Sequence, residues 1–130
     1  MKSIVDDAQL MSITLHYLEA LQSSIHAENY KWWHDKDGNR LERNKGELLC
    51  LMHSELSECM EGERKDLMDT HLPNRKMAEV ELADTLIRIL DYAGAFNYNV
   101  AGAVLQKLLF NRTRADHSHE AREQADGKKW

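Results

Sequence analysis

Apolar residues recur along this chain with the 3.6-residue period of a helix, and nowhere with the sustained two-residue alternation of a strand. From Val5 to about Asn29, Leu10, Ile13, Tyr17, Leu21 and Ile25 step by three or four and mark one helix face. A second helix is predicted from about Asn44 to Arg64, where Leu48, Leu51, Met52, Leu56, Cys59 and Met60 keep the same spacing. A third covers about Lys76 to Phe96 and meets stop signals at Gly94 and Asn97. Asn99 is placed to cap a fourth, whose apolar side carries Val100, Val104, Leu105, Leu108 and Leu109 and which ends near Thr113. Between the first two, Tyr30-Lys31-Trp32-Trp33-His34 falls at an element end, and Asp35-Lys36-Asp37-Gly38-Asn39 reads as a turn. That turn resembles a calcium loop only in its first residues, because the later Glu and the Gly offset are missing. Lys65 to Arg75, with Pro73, reads as an interhelical loop, and Ala115 to Trp130 as a polar, mobile tail. The pattern predicts an all-α fold, a four-helix bundle occupying one domain over 1–114, followed by the tail at 115–130.

Composition narrows the class. With 130 residues, 42% hydrophobic and 30% charged, six Gly and one Pro, the chain can bury a real core, which excludes collagen-like, low-complexity and disordered proteins. No apolar run approaches the ~20 residues of a membrane span, and no apolar signal core follows Met1-Lys2, so a cytoplasmic protein without a membrane partner is expected. A net charge of −5 argues against broad adhesion to nucleic acid. A small anionic substrate would need a cation between it and the protein. Cys50 and Cys59, placed on one helix, would lie about 13.5 Å apart along its axis, too far for a disulfide, and read as small packing side chains.

Candidate chemistry lies in acidic residues on apolar stripes. At 100° per residue, Leu48 lies about 20° from Glu55 around the helix, while Leu51 and Cys59 each lie about 40° from it and Glu58 about 60°. In the third helix Leu82, Ala83, Leu86, Ile87, Ile89 and Leu90 leave a narrow stripe containing Glu81, Asp84, Thr85, Arg88 and Tyr92. Two carboxylates at about 4 Å repel by ~4 kcal/mol at an effective dielectric near 20, so four converging ones need a compensating cation. Magnesium or manganese fits oxygen donors without imidazole, which makes Glu55-x-x-Glu58 with Glu81-x-x-Asp84 a candidate centre for phosphate chemistry. The alternative from the same residues is a solvated acidic stripe, with Asp84 and Arg88 as an i, i+4 surface pair.

His53-Ser-Glu55-Leu-Ser-Glu58-Cys-Met-Glu61, followed by Glu79-Val-Glu81-Leu-Ala-Asp84-Thr-Leu-Ile-Arg-Ile-Leu-Asp91, resembles the MazG-like family of the all-α nucleoside triphosphate pyrophosphohydrolases. The likeness runs from about Trp32 to Arg114 and extends to Lys107 and Phe110-Asn111-Arg112-Thr113-Arg114, which are similar to small phage-type members. It implies magnesium-dependent cleavage of a nucleoside triphosphate, often a deoxynucleotide, to the monophosphate and pyrophosphate. It also implies a homodimer or homotetramer. Glu55, Glu58, Glu81 and Asp84 would then be metal ligands, with Glu55 or Glu58 the general base. Ser54 stands where many members carry another acid, which bears on the number of metal ions. Lys107, Arg112 and Arg114 would contact the triphosphate and Asn111 the sugar or base, and Trp32 or Trp33 would stack the base. His34 and His53 read as packing or capping residues, and His71 as a loop residue. Two other functions suit the same sequence: a non-catalytic helical interaction module, and a pyrophosphohydrolase acting on a phosphoribosyl nucleotide or a non-nucleotide pyrophosphate.

Overall fold

The computed structural model describes residues 2–114 and 118–127, and every regular element among them is helical. A 3-10 turn at Ile4–Asp6 precedes α1 (Ala8–Glu28), α2 (Tyr30–Trp33), α3 (Lys45–Lys65), α4 (Met77–Ala95), α5 (Val100–Thr113) and α6 (His119–Glu123). The bounds of α3, α4 and α5 agree with the predicted ones to about one residue, because side chains at their starts set them. Asn44 Oδ1 accepts from the Glu47 amide at 3.1 Å, and Asn99 Oδ1 from the Gly102 amide at 2.9 Å.

Three local readings change. The first helix starts at Ala8 rather than Val5, since Asp7 Oδ1 takes the Leu10 amide at 3.0 Å and caps the helix there. The aromatic run forms a helical turn of its own, α2, with Trp33 as its last residue. The stretch predicted as tail contains α6, whose start is set by Ser118 Oγ accepting from the Ala121 amide at 3.1 Å. The remainder of that prediction, at 115–117 and 128–130, lies outside the described residues. The Asp35 turn forms as read: Asp35 Oδ1 accepts from the amides of Asp37 and Asn39, both at 2.9 Å, and Gly38 sits at φ +81°, a conformation glycine takes without strain.

The chain falls into two compact units, Ala20–Tyr98 and the remainder. In Ala20–Tyr98, α3 and α4 pack antiparallel. The buried residues of α3 are Leu48, Glu55 and Gly62, spaced by seven, so one line along the helix faces its neighbour. At the end near the connecting loop Gly62 lets α4 approach, since a Cβ there would stand 3.0 Å from Met77 Cβ. Close by, Cys59 Sγ donates to Ala78 O at 3.6 Å; both cysteines are free thiols. The apolar core of this unit is Trp33, Leu48, Ala78, Leu90 and Ala93. The end of α1 crosses α4 at Gly94, where any Cβ would collide with His26 Cβ at 2.8 Å. The other unit buries Ala101 and Leu105 of α5 and ties Arg112 to Asp6 through two hydrogen bonds of 2.7 and 3.2 Å.

Candidate metal centre

On the buried line of α3, Glu55 is the one ionisable residue, only 8% exposed and between Leu48 and Gly62. Across from it, α4 presents Glu81 and Asp84, one turn apart and both half-buried. One carboxylate oxygen from each of the three lies within 4.8 Å of the others. Glu58, predicted as a fourth ligand, is exposed and stands outside this triad, but it shares a hydrogen bond with Glu55 and feels the charges of Arg88 and Asp84.

Arg88 Nε donates to Glu55 Oε1 at 2.5 Å, so the guanidinium bridges the two helices. The alternative reading of Arg88 as an i, i+4 surface partner of Asp84 gives way to this cross-helix bond to the buried Glu55. One cation among four carboxyls leaves net negative charge, and the cluster answers by holding protons. Burial, then hydrogen bonding to Glu55 and the charges of Glu58, Glu55 and Asp84, push Glu81 up to about 7. Burial and the charge on Glu55 raise Asp84, while hydrogen bonding to Glu55 raises Glu58. Burial acts upward on Glu55 too, but hydrogen bonds from Arg88, Glu58 and Glu81 together hold it below the usual range.

A pH dependence follows. A carboxyl whose folded pKa exceeds its unfolded one stabilises the fold below about 4.5 and loses that contribution as pH rises through about 7. Chelated protein is therefore expected to melt at lower temperature at pH 8 than at pH 5.5, and since solvent still screens Glu81 the loss is about 1–2 kcal/mol. Magnesium, which needs the ionised ligands, should flatten or reverse that slope. Equal melting temperatures across this range in chelator would contradict the coupling.

Beside the acids lies a cavity of about 460 Å³ lined by Asn29, Trp32, Trp33, Arg43, Met52, Glu55, Asp84, Arg88, Asp91 and Tyr92, among others. The two tryptophans divide roles. Trp33 is 1% exposed, and its Nε1 donates to both carboxylate oxygens of Asp91, at 3.0 and 2.9 Å. His26 Nδ1 approaches the same Asp91 Oδ1 at 2.8 Å; because the carboxylate only accepts, the ring nitrogen carries the proton. Trp33 is thus a wall, and Trp32, 57% exposed, is the ring with a face to offer. Sequence reasoning did not find His26, Asn29 or Arg43, and it did not separate the tryptophans. Asp91 carried a faint signal, since it stands seven residues after Asp84 on the same stripe of α4.

Lys107, Asn111, Arg112 and Arg114 belong to the other unit. There Lys107 and Arg114 lie over the Phe110 ring at 4.7 and 5.9 Å, and Arg112 pairs with Asp6. Asn111 Oδ1 is buried with no hydrogen-bond partner. His34 Nδ1 lies 3.1 Å from Tyr30 O, closing the turn of α2, and its ring stacks on Tyr30 at 3.8 Å. His53 is exposed on α3, and His71 lies in the loop, its amide bound by Asp69.

No helix among the described residues is long and apolar enough to cross a membrane. Comparison of the chain with protein-family models, with curated proteins and with solved structures found no match.

Proposed function

We propose that this chain is a magnesium-dependent nucleoside triphosphate pyrophosphohydrolase of MazG-like type, converting a (deoxy)nucleoside triphosphate and water into the monophosphate and pyrophosphate. The observation that carries the reading is the Glu55, Glu81 and Asp84 triad, three carboxylates on two facing helices beside a cavity with an exposed indole. The donor set suits a hard ion. Glu55, Glu81 and Asp84, each offering one oxygen within 4.8 Å of the others, would hold such an ion with carboxylate oxygens and without imidazole. When bound, magnesium supplies positive charge opposite the phosphate oxygens as negative charge develops there.

The chain's own residues do the rest. Glu58, exposed beside Glu55, takes the general-base role in this reading: once ionised it would accept a proton from the attacking water. Arg88, paired with Glu55 and 40% exposed, would be the guanidinium to contact a phosphate oxygen. Trp32 stacks the base and Asn29 offers hydrogen bonds beside it. A second copy of the chain is part of this reading. The 21-residue α1 has no buried residue and leaves Leu10, Ile13, Tyr17 and Leu21 39–69% exposed, while Leu56, Met60, Leu82 and Leu86 are exposed on α3 and α4. A homodimer or homotetramer would cover those side chains and complete a bundle.

The test is a panel of ribo- and deoxynucleoside triphosphates with magnesium, products resolved by chromatography, beside melting with and without chelator. Monophosphate with pyrophosphate is expected, and magnesium at a hundred times its Kd should add about 2.7 kcal/mol. Diphosphate with inorganic phosphate, or no product and no magnesium-dependent melting shift, would refute the proposal and leave a helical interaction module.

A further inference from the structure

A second cavity, of about 360 Å³, shares Trp33 and Arg43 with the first and has the opposite charge. It is lined by Arg40, Arg43 and Lys45, with Glu42 the one acid among its lining residues. The rings of Trp33 and Phe96 organise the cations: Arg40 lies 4.8 Å and Arg43 5.2 Å from the Trp33 centroid, and Lys45 lies 4.4 Å from that of Phe96. Each guanidinium is tethered by one hydrogen bond to a backbone carbonyl, Arg40 to Ala95 at 3.0 Å and Arg43 to Trp32 at 3.4 Å, which leaves the other N–H groups available. Among the described residues no ion pair engages Arg40, Arg43 or Lys45. Three cations against Glu42 leave a net charge of about +2 in a pocket that rings and backbone hold in shape, within a chain whose overall charge is −5.

We infer that this cavity is a phosphoanion site, with Arg40, Arg43 and Lys45 as its ligands. Guanidinium forks match the oxygens of a phosphoryl group in pairs, the ammonium adds a point charge, and the volume suits one or two phosphoryl groups. The same chemistry arrives from two sources, the distal phosphates of a nucleotide seated at the acidic triad or free pyrophosphate acting on its own. The nucleotide source rests on the function proposed above, whereas the site itself does not, because its cations need no metal.

Binding of inorganic pyrophosphate is therefore to be measured by titration calorimetry in chelator, on wild type, Arg40→Gln, Lys45→Gln and the double variant. Saturable binding is expected in wild type, weakened at least tenfold in each single variant and further in the double, with melting measured in parallel to show that each variant is folded at the titration temperature. Because the titration is run in chelator its outcome does not depend on the triad, and Lys36→Gln, which removes an exposed cation outside the cavity lining, should bind pyrophosphate as wild type does. Absence of pyrophosphate binding, or binding indifferent to Arg40 and Lys45, would overturn the site. Repeating the titration with magnesium and an α,β-methylene nucleotide assigns the source: displacement identifies the nucleotide's own phosphates, and simultaneous binding a separate anion.

Discussion

Replacing Asp84 by Asn, or Glu81 by Gln, is expected to abolish pyrophosphate release while making the metal-free protein more stable. The two effects have one origin. Burial and neighbouring negative charge raise both carboxyls, so ionising them in the folded state is unfavourable, and a neutral amide of the same shape removes that penalty. For Glu81→Gln the expected gain is about 1 kcal/mol in chelator at pH 8 and shrinks as pH falls below about 7, where Glu81 takes up its proton, and Asp84→Asn should shift stability in the same direction. Activity moves the other way. Loss of a partner that only orients a metal ligand typically costs ~10–100-fold, so loss of a ligand should cost at least ~100-fold, together with the magnesium-dependent rise in melting temperature. Glu55→Gln should share the loss of activity and not the gain in stability, since it deprives Arg88 of its charged partner. Pyrophosphate release within threefold of wild type in Asp84→Asn would remove the triad from the proposed chemistry.

What the sequence could and could not say follows from the range of each signal. The long helices were legible because their periodicity spans many turns and because Asn44 and Asn99 fix their starts through local hydrogen bonds. A helix of four residues has no period to detect, and α2 passed as the end of a neighbour. The inward placement of Glu55 was readable from its seven-residue offset to Leu48, and Gly62 continues that line. The partner of Arg88 was not readable: spacing along one helix nominates Asp84, whereas the choice of Glu55 depends on how closely α3 and α4 approach, which Gly62 and Met77 decide. Glu58 looked equivalent to Glu55 because angles around a single helix do not reveal how wide the facing neighbour is. The cationic cavity left no trace, since Arg40, Arg43 and Lys45 follow no period and converge only through the rings beneath them.

The adjacent tryptophans carry the other large expected effect, on stability. Nothing in Trp32-Trp33 favours either residue, yet the structure buries Trp33 to 1% exposure and leaves Trp32 57% exposed. Asp91 makes the difference: a buried carboxylate must have donors, and the Trp33 indole and His26 ring supply them from elements on either side. Asp91→Asn keeps the shape but turns one acceptor into an NH₂ that must face an N–H of Trp33 or His26. The expected destabilisation is about 2–3 kcal/mol by urea unfolding, against about 3–5 kcal/mol for Trp33→Ala, which also opens a cavity. Trp33→Phe removes the indole donor and keeps much of the apolar volume, so in a double-mutant cycle it should couple to Asp91→Asn by about 1 kcal/mol or more. Additive single changes, or an Asp91→Asn protein within 0.5 kcal/mol of wild type, would mean that packing alone holds Trp33. Because Trp33 and Asp91 wall the cavity beside the acids, coupling would also place the shape of that cavity under the control of one buried carboxylate, and under the proposed hydrolase function Trp33→Phe should raise KM more than it lowers kcat.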